Sequence, residues 1–225
     1  MRVTRVVDLS RTVGPRTQVY PGDPVPSSRP LATVERDGFA LHEVVLGSQS
    51  GTHLDAPAHF RADGAPVDRV DPADCVGPGV VADLTGRAPR HPVDWPELAP
   101  YAPLLGRGTV LLLHTGWAAR YGTPEYFDHP YLTGAAARGL LAAGVRAVGV
   151  DAPSVDETPG PGGPDGGAAD FPAHRAIAAA GGVIVENLCR LEQIDFPDPL
   201  VSVLPIRLAG LDGAPVRAVA MRIEP

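Results

Sequence analysis

"TVLLLHTG", Thr109–Gly116, is an unbroken run of Val and Leu that stops at polar residues and a glycine, the pattern of a buried strand. Downstream, "TGAAARGLLAAG" from Thr133 has helical spacing and closes on a glycine suited to a helix C-terminus. "VRAVGVD" from Val145 is a second short apolar run. Strand, helix and strand in that order predict a βαβ crossover, right-handed, with its two strands parallel.

The same reading extends both ways from this unit. "EVVLGS" from Glu43, "GVVADLTG" from Gly79, "GVIVENL" from Gly182, "LVSVLPIRL" from Leu200 and "VRAVAMRI" from Val216 are strand-like, and "MRVTRVVDLS" alternates as a strand does. One further helix is predicted in "PAHRAIAAAG" from Pro172. The fold class is mixed α/β with more strand than helix. No repeat or linker divides the 225 residues, so one domain over 1–225 is expected. "VDETPGPGGPDGGAAD", Val155–Asp170, is half Gly and Pro and reads as a loop, either a mobile surface segment or a lid bordering the site.

Composition excludes several functions. The chain has no Lys, so Schiff-base, pyridoxal-phosphate and phosphate-loop lysine chemistry are ruled out. A formal net charge of -7 without a basic block argues against nucleic acid or an anionic membrane as partner. No apolar run approaches the roughly 20 residues of a membrane crossing, and the first residues lack the features of an export signal, so a cytoplasmic address is expected. Cys75 and Cys189 are too few for a disulfide framework and read as small buried hydrophobes.

Chemistry concentrates in "GSQSGTHLDAPAHF", Gly47–Phe60. Gln49, His53, Asp55 and His59 would share one face of an extended strand, but ten residues at about 3.3 Å each span roughly 33 Å, too far for one ion. The chain must bend, and Gly51 and Pro57 are the residues that permit it. His53 and Asp55 are the pair able to converge unaided, an imidazole beside a carboxylate as Zn²⁺, Mn²⁺ or Fe²⁺ prefers. A polar loop with a turn-capping Asp55 is the plain alternative. "GSQSG" is not a serine elbow, because Gln49 occupies the nucleophile position. Far downstream His174 opens a helix and Glu186 interrupts a strand, where burial would demand a partner.

Together "SGTHLDAPAHF", "LLLHTGW", "VGVDAPSVD" and "AHRAIAAAGGVIVENLCRL" resemble the cyclase-like metal-dependent hydrolases, the family that includes bacterial kynurenine formamidase and isatin hydrolase. The first block matches most of the motif H-x-G-T-H-x-D-x-P-x-H, and the step from His174 to Glu186 matches the family's later His and Glu. The resemblance implies a swivelling β/β/α architecture, a mixed sheet with few helices, and a homodimer or homotetramer. It also implies a divalent metal, Zn or Mn, as one or two ions held by His53, Asp55, His174 and Glu186. Where the motif begins with His, this chain has Gln49. Gln49 is then a weak or altered metal ligand, or a group that hydrogen-bonds substrate.

The implied chemistry is hydrolysis of a small amide, lactam or lactone. The ion lowers the pKa of its water from about 15.7 to about 7 and polarises the carbonyl. His59 acts as general base and then acid. A cyclase or dehydratase using the ion as Lewis acid and a non-catalytic ligand-binding relative are the rival readings. Trp117, after a strand end, is expected to wall the substrate pocket. His114 reads as a core residue, His42, His91 and His129 as solvated, and Asp151, Ser154 and Asp156 as turn formers.

Overall fold

The computed structural model describes residues 2–159 and 170–224. Its strands are β1 (Arg2–Asp8), β2 (Ser27–Ala32), β3 (Leu41–Val45), β4 (His53–Asp55), β5 (Val76–Asp83), β6 (Pro92–Val93), β7 (Val110–His114), β8 (Tyr131–Leu132), β9 (Ala147–Val150), β10 (Val183–Glu186), β11 (Leu200–Ser202), β12 (Gly213–Pro215) and β13 (Val219–Glu224). Its α-helices are α1 (Val34–Asp37), α2 (Trp95–Leu98), α3 (Gly134–Ala142) and α4 (Pro172–Ala179).

The predicted crossover is present: β7 and β9 pair in parallel, joined through α3. Thr133 caps α3 by accepting from Ala136 N, and Gly144, at φ 99°, takes the left-handed conformation that ends it. With β5 and β10 this pair forms a parallel centre, β5-β7-β9-β10. Antiparallel wings extend it to nine strands in the order β1-β13-β11-β5-β7-β9-β10-β4-β12.

Alternation along β7 explains the layering. Leu111 and Leu113 face one core with Leu140 of α3, Ile177 of α4 and Leu98 of α2. Val110 and Leu112 face a second core. That core is filled from the wings, by Val7, Leu54, Val201, Ala214 and Ala220, so the sheet curls over its own face while helices cover the other. The result is the β/β/α layering that the resemblance implied. Cys75 and Cys189 are buried, as expected.

Three features were not foreseen. A hairpin of β2 and β3 stands apart from the main sheet, β6 pairs with β8, and β12 adds an edge beside β4. Of the loop expected at Val155–Asp170, residues 160–169 lie outside the described residues. Among the described residues no helix is long and apolar enough to cross a membrane.

Candidate metal centre

The bend expected around Gly51 and Pro57 is what makes the site. Gly51 adopts φ 67°, β4 runs for three residues, and Pro57 opens a 3-10 turn to His59. β4 lies antiparallel to β10 with His53 opposite Glu186, so a backbone register joins two clusters far apart in sequence. α4 then delivers His174, whose backbone N–H and that of Ala173 donate to the Asp156 carboxylate at 2.8 and 2.9 Å.

His53 Nε2 lies 3.4 Å from Asp55 Oδ1 and 3.6 Å from Glu186 Oε2. His174 Nε2 lies 3.4 Å from Asp55 Oδ2 and 3.2 Å from Glu186 Oε1. Ligand atoms bound at about 2.0–2.2 Å to a tetrahedral ion are themselves roughly 3.3–3.6 Å apart, close to these spacings. Donor atoms of His53, Asp55 and Glu186 all fall within 4.8 Å of one another.

Both Asp55 oxygens are buried without a hydrogen-bond partner, a costly state for a carboxylate unless a cation sits against it. The second nitrogens of the imidazoles are engaged: His53 Nδ1 is 2.8 Å from the Gly51 carbonyl and His174 Nδ1 is 2.7 Å from Asp156 Oδ2. These contacts fix each ring with Nε2 facing inward. The donor set and its orphaned carboxylate fit a divalent cation.

Electrostatics agree. Burial opposes charge on His53, yet Asp55 and Glu186 push it up to about 9. Against the same burial, Asp156, Asp55 and Glu186 raise His174 well above its ordinary value. Burial alone would raise Asp55, but the surrounding imidazoles hold it well below the usual carboxylate range. The cluster is built to be compensated by positive charge, from protons or from a metal ion.

A cavity of about 270 Å³ opens over these groups, with Gln49, His59 and the aromatic side chains of Tyr20, Phe60, Phe127 and Phe171 in its wall. The Phe60 ring lies 4.4 Å from that of His174. His59 is half-buried, with Nδ1 2.9 Å from Asp212 Oδ2. Gln49 Nε2 lies 2.9 Å from Asp212 Oδ2 and 3.2 Å from His59 Nδ1.

Other expectations need revision. Trp117 is not in the cavity wall: it is 4% exposed, packs in the helix-side core and donates its indole N–H to the Glu125 carbonyl. A 3-10 turn at Trp117–Arg120 swings the ring into the core. His129, expected in solvent, is 1% exposed between the Pro130 carbonyl and Thr158 Oγ1, because Pro130 leads directly into β8. His114 is half-buried at the end of β7, His42 is exposed, and His91 pairs with Glu97 at 3.1 Å. Asp151 is a turn former, accepting from Thr115 and Gly116, whereas Asp156 buttresses the His174 ring. Asp212, Asp23 and Tyr20 had no signal in a motif, and the cavity gathers the last two from a loop before β2.

Solved structures with this fold include an isatin hydrolase bound to the product analogue thioisatinate, with a TM-score of 0.83 and 23% identity over 97% of this chain and 92% of that one. Isatin hydrolase A from Labrenzia aggregata, bound to benzyl benzoate, gives a TM-score of 0.84 and 22% identity over 98% and 94%. A potential metal-dependent hydrolase with cyclase activity gives 0.75 and 25% over 98% and 99%. Residues 7–157, about two thirds of the sequence, match the family described as putative cyclase, and the chain therefore belongs to that family.

Proposed function

We propose that the protein is a metal-dependent hydrolase of a small aromatic amide, lactam or lactone, with His53, Asp55, His174 and Glu186 as ligands of a Zn²⁺ or Mn²⁺ ion. The observation that carries this reading is the buried Asp55 carboxylate, whose unpartnered oxygens face two imidazoles at 3.4 Å. When bound, such an ion supplies a water acidic enough to lose a proton near neutral pH and a positive charge for the substrate carbonyl.

The chain's own residues do the rest. His59, in the cavity wall, accepts a proton from the attacking water and returns it to the leaving nitrogen or oxygen. Phe60, Phe171, Tyr20 and Phe127 offer ring faces and edges to a planar substrate and exclude bulk water from the site. Asp23 stands in the same wall, raised from its ordinary carboxylate value first by burial.

The test is metal analysis of purified protein followed by a panel of isatin, formyl-anilides and aryl lactones, before and after chelation. Stoichiometric metal with chelator-sensitive turnover is expected. Turnover that survives complete removal of metal would refute the reading, and metal with ligand binding but no turnover would favour a binding relative.

A further inference from the structure

Asp212 faces no metal ligand, yet it holds the residue on which the proposed proton transfer depends. It sits where the chain re-enters the sheet as β12. Its carbonyl accepts from Ala56 N at 2.9 Å and the next residue, Gly213, pairs with Asp55, so the ladder fixes this carboxylate beside the ligand strand.

Three donors converge on it. Oδ1 accepts from Ser48 Oγ at 2.9 Å, and Oδ2 meets both His59 Nδ1 and Gln49 Nε2 at 2.9 Å. An ionised carboxylate has no hydrogen to give, so Nδ1 of His59 must carry one and donate it. In the neutral ring the other nitrogen, Nε2, is then left with a free lone pair, as a proton acceptor requires.

The Gln49 amide is oriented by the same reasoning. Turned over, its oxygen would meet a carboxylate oxygen with no hydrogen between them, so the NH₂ group faces Asp212. Its carbonyl oxygen is left buried and unpartnered. Gly213 makes room for this arrangement: a Cβ there would lie 2.8 and 2.9 Å from the two amide atoms of Gln49 and 2.7 Å from the Leu54 carbonyl oxygen. The charge balance agrees, since the His59 hydrogen bond holds Asp212 well below the usual carboxylate range despite burial.

We propose that Asp212 is a positioning residue that sets the Nε2-free tautomer of His59, and that Ser48 and Gln49 grip it, so that the glutamine standing in for the motif histidine serves this grip instead of a metal ion. The consequence for catalysis rests on the hydrolytic reading above, whereas the tautomer itself does not.

In metal-loaded protein with ¹⁵N-labelled histidine, nitrogen shifts report which ring nitrogen bears hydrogen, and His59→Gln identifies the His59 signals by their loss. The hydrogen is expected on Nδ1 in the wild type and in Asp212→Glu. It is expected to move largely to Nε2 in Asp212→Asn, whose amide is able to donate to Nδ1. Gln49→Leu is expected to keep the wild-type metal content by elemental analysis.

An unchanged Nδ1–H population in Asp212→Asn overturns the proposal, and so does loss of metal in Gln49→Leu. Should Asp212→Asn fail to fold, the double variant Ser48→Ala with Gln49→Leu keeps the carboxylate but frees it. A mixed tautomer population is then expected, and an unaltered one counts against the proposal. On any substrate that is turned over, Asp212→Asn should lower kcat on the order of 10²- to 10⁴-fold with KM within about threefold. Because the tautomer is read without substrate, failure of the hydrolase reading and failure of this inference are separable.

Discussion

At the scale of single residues, the strongest dependence is that of the proposed metal ligands on what stands behind them. Asp156 touches His174 Nδ1 at 2.7 Å and receives the first backbone N–H groups of α4, so it both aims the His174 ring and caps a helix. Asp156→Asn is expected to weaken metal affinity about 10- to 100-fold by chelator competition, with the fold retained. His129 makes a different prediction. Burial lowers it from 6.5 to about 4, so the folded protein refuses a proton that the unfolded chain accepts. Above pH 6.5 the group adds no pH dependence; as pH falls from 6.5 towards 4 stability is lost, by up to roughly 3 kcal/mol. The check is the unfolding midpoint of wild type and His129→Gln across that range: the variant should fall less steeply, and parallel curves would count against the assignment.

At the scale of elements, the edge strand β12 is held against β4 by an approach only glycine allows. Gly213→Ala would set a methyl 2.7 Å from the Leu54 carbonyl oxygen and against Gln49, and is expected to lower stability by roughly 1–3 kcal/mol in urea unfolding while disturbing the His59 signals. β12 also shows where sequence reading stops. The parallel strands and α3 were legible because a buried strand and a glycine-ended helix are local patterns. His53 and Asp55 were legible as an imidazole beside a carboxylate, whereas His174 and Glu186 joined them only through the family resemblance. "LDGAP", Leu211–Pro215, carries no strand-like apolar run, and its role depends on a ladder formed with residues some 160 positions away. Trp117 and His129 misled for a related reason: a strand end or a Pro-rich neighbourhood does not reveal which way the chain turns next.

At the scale of the whole molecule, the cation is expected to act as a staple between β4, β10 and α4. Saturation at about 100 times Kd adds roughly 2.7 kcal/mol, so chelation should lower the unfolding midpoint by roughly 5–11 °C and reloading should restore it. The β2–β3 hairpin bears on assembly. Leu31, Phe39, Leu41, Val44 and Val45 are exposed on a ribbon that contributes little to either core, and an isolated hairpin is marginal in water. A homodimer or homotetramer is therefore expected by light scattering, and Leu41→Glu with Val44→Glu should shift it towards monomer; a wild type that is monomeric at micromolar concentration would count against this.

The pairing of His53 with Glu186 has a consequence for biosynthesis. On the proposed ligand set, His53 and Asp55 would leave the ribosome long before His174 and Glu186, so the complete site would form only late in synthesis. Loading of the proposed ion would then be a late checkpoint, passed by molecules whose sheet has already closed, and a message truncated upstream of Glu186 would yield a product lacking at least one of the four proposed ligands.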